Sequence, residues 1–130
     1  MIREIDGRTW RTPLTDQPLR TVGTARLTRK NQRGVFYHEG ASGYEYWRSR
    51  TWVKVTGLQQ RNGRGWKTWM VDDPLHWTAM GEAVLDLPGG RIVVAGLGLG
   101  LMLHHMAPQP RFSSITVVEL NADVIELIYP

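Results

Sequence analysis

The chain is predicted to be an α/β protein whose carboxyl-terminal half holds a parallel βαβ unit, preceded by a small antiparallel β-rich amino-terminal region. Three observations predict this. Arg91-Ile92-Val93-Val94-Ala95 and Ile115-Thr116-Val117-Val118 are short β-branched runs with a glycine-rich turn and an amphipathic stretch between them. "TWVKVTGLQQRNGRGWKTWMV" alternates on both sides of Asn62-Gly63, the pattern of a hairpin. Charge also divides the chain: residues 1–67 carry 14 Lys and Arg against 5 Asp and Glu, a net +9, whereas residues 68–130 carry 2 against 7, a net −5. Such a split points to parts with different tasks.

Residues 1–33 contain Pro13, Pro18, Gly23 and scattered charges without a sustained period. They are expected to form a basic, largely irregular segment with one short strand near Leu19–Leu27. Residues 34–73 read as a β-rich hairpin region. There Val35-Phe36-Tyr37 and Tyr44-Glu45-Tyr46-Trp47 are aromatic runs punctuated by Gly40 and Gly43, and Thr51–Leu58 returns as Trp66–Val71. Trp47, Trp52, Trp66, Trp69 and Trp77 crowd one stretch and are expected as the core of a small sheet, with stacking on bases as the alternative use. Residues 74–130 form the third part. Asp73 caps a helix that Pro74 opens, and Asp72 complements its dipole. Leu75, Trp77, Met80, Val84 and Leu87 supply its apolar stripe, Glu82 is expected on its exposed side, and Pro88-Gly89-Gly90 end it.

Composition narrows the function. With no cysteine, disulfides, thiolate metal sites and a Cys nucleophile are excluded. The 130 residues, 42% of them hydrophobic, suffice for one core plus an extension. No transmembrane run or signal-peptide pattern follows Met1, so a soluble, cytoplasmic chain with no membrane partner is expected.

Residues 90–127 carry the chemistry. The strand at 91–95 is expected to be buried on both faces. Gly96, Gly98 and Gly100 then allow a sharp turn and close approach of a ligand. A short helix from Leu99 to about Ala107 follows, stopped by Pro108 and Pro110, and Glu119 ends the second strand. The 29 residues from Arg91 to Glu119 match a βαβ unit, whose right-handed crossover sets both strand ends side by side. A carboxylate there can accept hydrogen bonds from the vicinal hydroxyls of a ribose, which makes a nucleoside pocket. The dinucleotide fingerprint wants a third glycine at its sixth position, where this chain has Leu101, so NAD(P) is only an alternative cofactor. Adjacent His104 and His105 point different ways on a helix and make a poor metal pair, so no metal is expected and both should meet the helix's terminal carbonyls. His38 and His76 have no Asp or Ser partner visible in the sequence.

"VVAGLGLGLM…ITVVELNADVIEL" resembles motif I and the following strand of class I S-adenosylmethionine-dependent methyltransferases, and more narrowly their spermidine synthase-like branch. The resemblance implies an incomplete Rossmann-like, methyltransferase-type unit behind a β-rich extension, with S-adenosyl-L-methionine or its decarboxylated form as cofactor. It implies Gly96, Leu97, Gly98 and Gly100 as the loop against that cofactor and Glu119 as the ribose-binding acid. Asn121 stands at a position that is often acidic there, and it can equally cap the next helix. Leu97 and Leu99 replace the loop Asp common in polyamine synthases, which leaves the wider methyltransferase class as the expectation. No catalytic residue is assigned; Asp72, Asp73 and Glu82 merely precede the loop. The chain ends 11 residues past Glu119, so it is expected to be a fragment or a shortened form lacking the acceptor-site half. Otherwise a second copy or a partner chain covers the open sheet, with Ile92, Val94, Val117 and Val118 among its exposed apolar residues. A rival of another class is a nucleic-acid-binding module, using the basic half with Trp52, Trp66 and Trp69 and keeping the βαβ unit as scaffold.

Overall fold

The computed structural model describes residues 2–40 and 43–130, without the side chains of 37–40 and 43–45. Tyr37, His38, Tyr44 and Glu45 therefore lie outside the described side chains. The protein is mixed α/β, with one five-stranded sheet and one parallel two-stranded sheet accompanied by helices.

The first sheet is built on a long hairpin, β3 (Ala25–Gly40) with β4 (Gly43–Asn62). A parallel strand β1 (Ile2–Ile5) flanks the first half of β4, and β5 (Gly65–Val71) flanks its second half. The short β2 (Thr21–Val22) covers the start of β3. Residues 6–20 lie outside the strands, as the irregular reading expects. The segment nevertheless holds more than one strand: β1, β2 and the first nine residues of β3, and the strand expected near Leu19–Leu27 is two strands meeting at Gly23. The sheet is also not wholly antiparallel, because β1 runs with β4. The β4–β5 hairpin turns at Gly63, where φ is +61° and glycine carries no steric penalty.

Register shifts between Gln32 and Gly34 and between Leu58 and Gln59 coil this ribbon, so different stretches of it bury different faces. Leu27 and Leu58 pack with Leu99, Leu101, Val124 and Leu127 of the carboxyl-terminal half, forming one apolar cluster across both parts. Val53, Val55 and Phe36 bury instead against Leu75 and Trp10. The expected tryptophan core is met only in part: Trp47 and Trp77, half-buried, pack against the buried clusters. Trp52 and Trp69 are 55% and 65% exposed, and Trp47 and Trp66 lie under arginines.

Helix α1 (Pro74–Leu85) starts as its sequence dictates, with Asp73 Oδ1 accepting from the His76 backbone N–H at 2.8 Å. The same oxygen lies 2.7 Å from His76 Nδ1, so His76 does have an Asp partner. The helix ends at Leu85, before the Pro-Gly-Gly stretch, leaving Leu87 to pack from outside it. Asp72 does not serve the helix dipole. It is fully buried, accepting hydrogen bonds from the Thr56 backbone N–H and the Thr12 hydroxyl, and so staples the 10–17 segment to the sheet.

Strands β6 (Gly90–Ala95) and β7 (Phe112–Val118) pair in parallel, with Ile92 opposite Ile115 and Val94 opposite Val117. Helix α2 (Leu101–Met106) connects them and α3 (Ala122–Ile128) follows. Strand β6 is not buried on both faces. Ile92, Val94, Ile115 and Val117 pack inward, while Val93 is 72% exposed beside Val118. The expected exposure of Ile92, Val94 and Val117 is corrected accordingly: the open face is the one bearing Val93 and Val118. Two polar clamps hold α3 to the first sheet. Asp123 accepts from the Thr24 N–H at 2.8 Å and its hydroxyl at 2.7 Å, and Arg20 donates to the terminal carbonyls of Glu126 and Leu127. Among the described residues, no helix is long and apolar enough to cross a membrane.

Candidate functional site

Residues 96–100 leave the end of β6 in a conformation only glycine adopts freely. Gly96, Gly98 and Gly100 have φ of +91°, +53° and +74°. Each nevertheless faces something different. A Cβ at Gly96 would meet nothing within 4 Å, so the backbone here borders open space. At Gly98 the same position is filled by Met70 Sδ at 2.6 Å, which makes this glycine a packing requirement. Gly100 starts α2 as a left-handed cap, so the helix is shorter than the expected Leu99-to-Ala107 span.

Glu119 follows β7 and meets this loop, as the βαβ geometry requires. Its Oε1 accepts from the Leu97 N–H and its Oε2 from the Asn121 N–H, both at 2.9 Å. These donors hold the carboxyl below its ordinary range, Asn121 contributing most, with Leu97, Gly98 and Leu120 adding to it against a desolvation penalty. The group is therefore an anion at neutral pH, its two oxygens facing the backbone N–H groups of Leu97, Gly98, Leu120 and Asn121.

The loop's own donors are spent. Gly96 N–H binds Val118 O at 2.6 Å, Leu97 and Gly98 serve Glu119, Leu99 reaches Met70 Sδ at 3.3 Å, and Gly100 closes on Leu97 O at 2.8 Å. A pyrophosphate cradle needs such donors open. Asn121 contributes to the rim through its backbone. Its side chain caps α3 by accepting from the Asp123 N–H at 2.9 Å.

A cavity of about 490 Å³ opens beside Glu119, walled by Leu97, Gly100, Ile115, Val117, Ile125 and Ile128, with His104 and Tyr129 also on its lining. That size lies within the range of small-molecule sites. The sequence marks His104 only as a helix-end residue. Its position four residues after the Gly100 cap, on one face of α2, is the signal that could have marked it. Burial lowers its pKa, and neighbouring His105 lowers it further, so its imidazole is neutral at neutral pH. His105 turns away, its ring 3.9 Å from that of Trp77 and its Nε2 2.9 Å from the Trp77 carbonyl, so it bridges α2 to α1 and does not meet its own helix's last carbonyls.

The acids before the loop are engaged elsewhere: Asp72 in its buried staple, Asp73 in the α1 cap, and Glu82 in an ion pair with Arg3 at 3.1 Å. Among the described residues, no three His, Asp or Glu side chains gather as metal ligands. Set against protein families, curated proteins and solved structures, the chain matches none of them.

Proposed function

We propose that the rim made by residues 96–100 and Glu119 binds a nucleoside cofactor, S-adenosyl-L-methionine, and that β6, α2 and β7 are the first part of a Rossmann-like, methyltransferase-type unit. One observation carries this reading: an ionised carboxylate is fixed between loop and strand end beside an apolar cavity of about 490 Å³. The residues suit the group. The ionised Glu119 can share its oxygens between its backbone donors and a ribose hydroxyl, Gly100 and Leu97 border the cavity beside it, and the aliphatic cavity wall offers the dry surface a nucleobase prefers. When bound, the cofactor supplies a sulfonium-activated methyl group. The chain's own contribution is to hold the ribose at Glu119 and exclude water along Ile115, Val117 and Ile125. The occupied loop donors argue against a nicotinamide dinucleotide, which needs its pyrophosphate cradled.

Calorimetric titration with S-adenosyl-L-methionine tests the reading. Saturable binding should weaken at least about tenfold in Glu119→Ala, the equivalent of about 1.4 kcal/mol, and NADH should not compete. Absence of binding, or affinity indifferent to Glu119→Ala, overturns it.

A further inference from the structure

The sheet formed by β3, β4 and β5 carries Arg26, Lys30 and Arg61 with no carboxylate paired to them among the described residues. Residues 17–71 hold eleven Lys and Arg against two acids, Glu39 and Glu45, at the far end of the β3–β4 hairpin. Of these cations, Arg48 pairs with Glu4, and Arg20 and Arg29 serve backbone carbonyls, which sets them apart from Arg26, Lys30 and Arg61. Register sets Arg26, Gln59 and Thr68 on one rung across the three strands, and pairs Arg61 with Trp66 nearer the turn. Arg26 Nε donates to Gln59 Oε1 at 2.8 Å, and Gln59 Nε2 donates to Thr68 Oγ1 at 3.1 Å. Both guanidiniums lie over the Trp66 indole, at 4.3 and 4.7 Å from its centroid. Among the described residues, no carboxylate forms an ion pair with Arg26, Lys30 or Arg61. A guanidinium held by an indole and a neutral amide is positioned without surrendering its charge.

Beside this group lies a hollow of about 130 Å³ lined by Thr28, Lys30, Gly57, Gln59 and Thr68, with Val55 and Val71 as its apolar side. It is open because position 57 has no side chain: a Cβ there would come within 2.8 Å of Thr28 Oγ1. Two hydroxyls, an amide and an ammonium with no acid among them form a donor set suited to phosphate oxygens.

We propose that this face binds the backbone of single-stranded nucleic acid, with one phosphate at the hollow against Lys30 and Thr28 and its neighbours on Arg26 and Arg61. Charge alone would serve an acidic protein or an anionic membrane equally well. The exposed indole of Trp69 on β5 favours nucleic acid with unpaired bases, which offer rings to stack on it. The inference uses no residue of the Glu119 rim, so it stands or falls separately from the cofactor reading.

Fluorescence anisotropy of a labelled single-stranded oligonucleotide of about ten nucleotides, titrated with the full chain at several salt concentrations, provides the test. Three neutralised phosphates predict a log–log salt slope of about −2, a roughly twentyfold loss of affinity between about 50 and 200 mM salt. Each of Arg26→Gln, Lys30→Gln and Arg61→Gln should reduce that slope by about 0.7. Arg91→Gln, an equal charge change on the exposed face of β6, should leave it unaltered. Trp69→Ala should weaken binding with the slope retained. Absence of binding, a slope indifferent to the three substitutions, or equally effective competition by phosphatidylserine vesicles or polyglutamate overturns the proposal. If a variant does not fold, the wild-type competition decides by itself.

Discussion

Replacing Glu119 by Gln keeps the shape of the side chain and removes its charge. In the native protein each carboxylate oxygen accepts a backbone N–H, from Leu97 and from Asn121, both at 2.9 Å. The amide preserves one acceptor and turns its NH₂ against the other donor. A hydrogen bond to a charged group contributes about 1.5–3 kcal/mol, and the partial exposure of Glu119 puts the loss near 1.5 kcal/mol, about 5 °C in Tm. The effect must also depend on pH. The Glu119 carboxyl is held below its ordinary 4.5, chiefly by the Asn121 N–H. A depressed folded-state pKa stabilises the fold above the unfolded value, and that contribution is lost as pH falls through the folded value. Urea denaturation followed by tryptophan fluorescence should therefore show the full gap between wild type and Glu119→Gln near neutral pH. The gap should shrink below 4.5 and close once the native carboxyl is protonated. Equal stabilities near neutral pH, or a gap that persists in acid, would refute the clamp.

Other substitutions probe the remaining elements. Asp72→Ala strips a buried acceptor from the Thr12 hydroxyl and the Thr56 N–H, so denaturation should report a loss of roughly 3 kcal/mol, with Asp72→Asn milder. Because burial raises the Asp72 pKa, its wild-type contribution should decline as pH rises from 3.8 toward the folded value, a trend Asp72→Asn abolishes. Gly98→Ala forces a side chain to φ +53° against Met70 and should cost roughly 1–2 kcal/mol in thermal unfolding. Gly100→Ala shares that backbone strain but adds its methyl group among Leu97, His104 and Ile128 on the cavity wall, so cofactor affinity, measured on folded protein, should fall about tenfold in this variant alone. Val93→Lys on the open face of β6 should change the monomer's stability by less than about 0.5 kcal/mol, whereas a larger loss, dependent on protein concentration, would show the face covered in an assembly.

What could be read from the sequence was mostly local chemistry. Asp73 and Pro74 open α1 because a cap and a first-turn proline act on their immediate neighbours. Gly63 turns the β4–β5 hairpin for the same reason. Glu119 reaches the loop because βαβ length and parallel pairing leave the two strand ends adjacent. The misses concern partners distant in sequence. The four residues Ile2–Ile5 carry no alternation, and only pairing with β4 more than forty positions away makes them a strand. Asp72 sits one residue from a helix cap, yet Thr12, sixty positions earlier, determines its role. The tryptophans looked like core because a flat sheet would bury one of its faces. Two register shifts coil the ribbon and turn Trp52 and Trp69 outward. His104 joined the site only when α3 supplied the opposite wall with Ile125 and Ile128.

Amide chemical-shift mapping with S-adenosyl-L-homocysteine, the demethylated product, tests the central claim most directly. The account predicts saturable shifts concentrated at the backbone N–H groups of Leu97, Gly98 and Asn121, which share the Glu119 carboxylate, with weaker changes at Ile125 and Ile128 across the cavity. A spectrum unchanged at saturating ligand, or shifts confined to β3, β4 and β5, would contradict it.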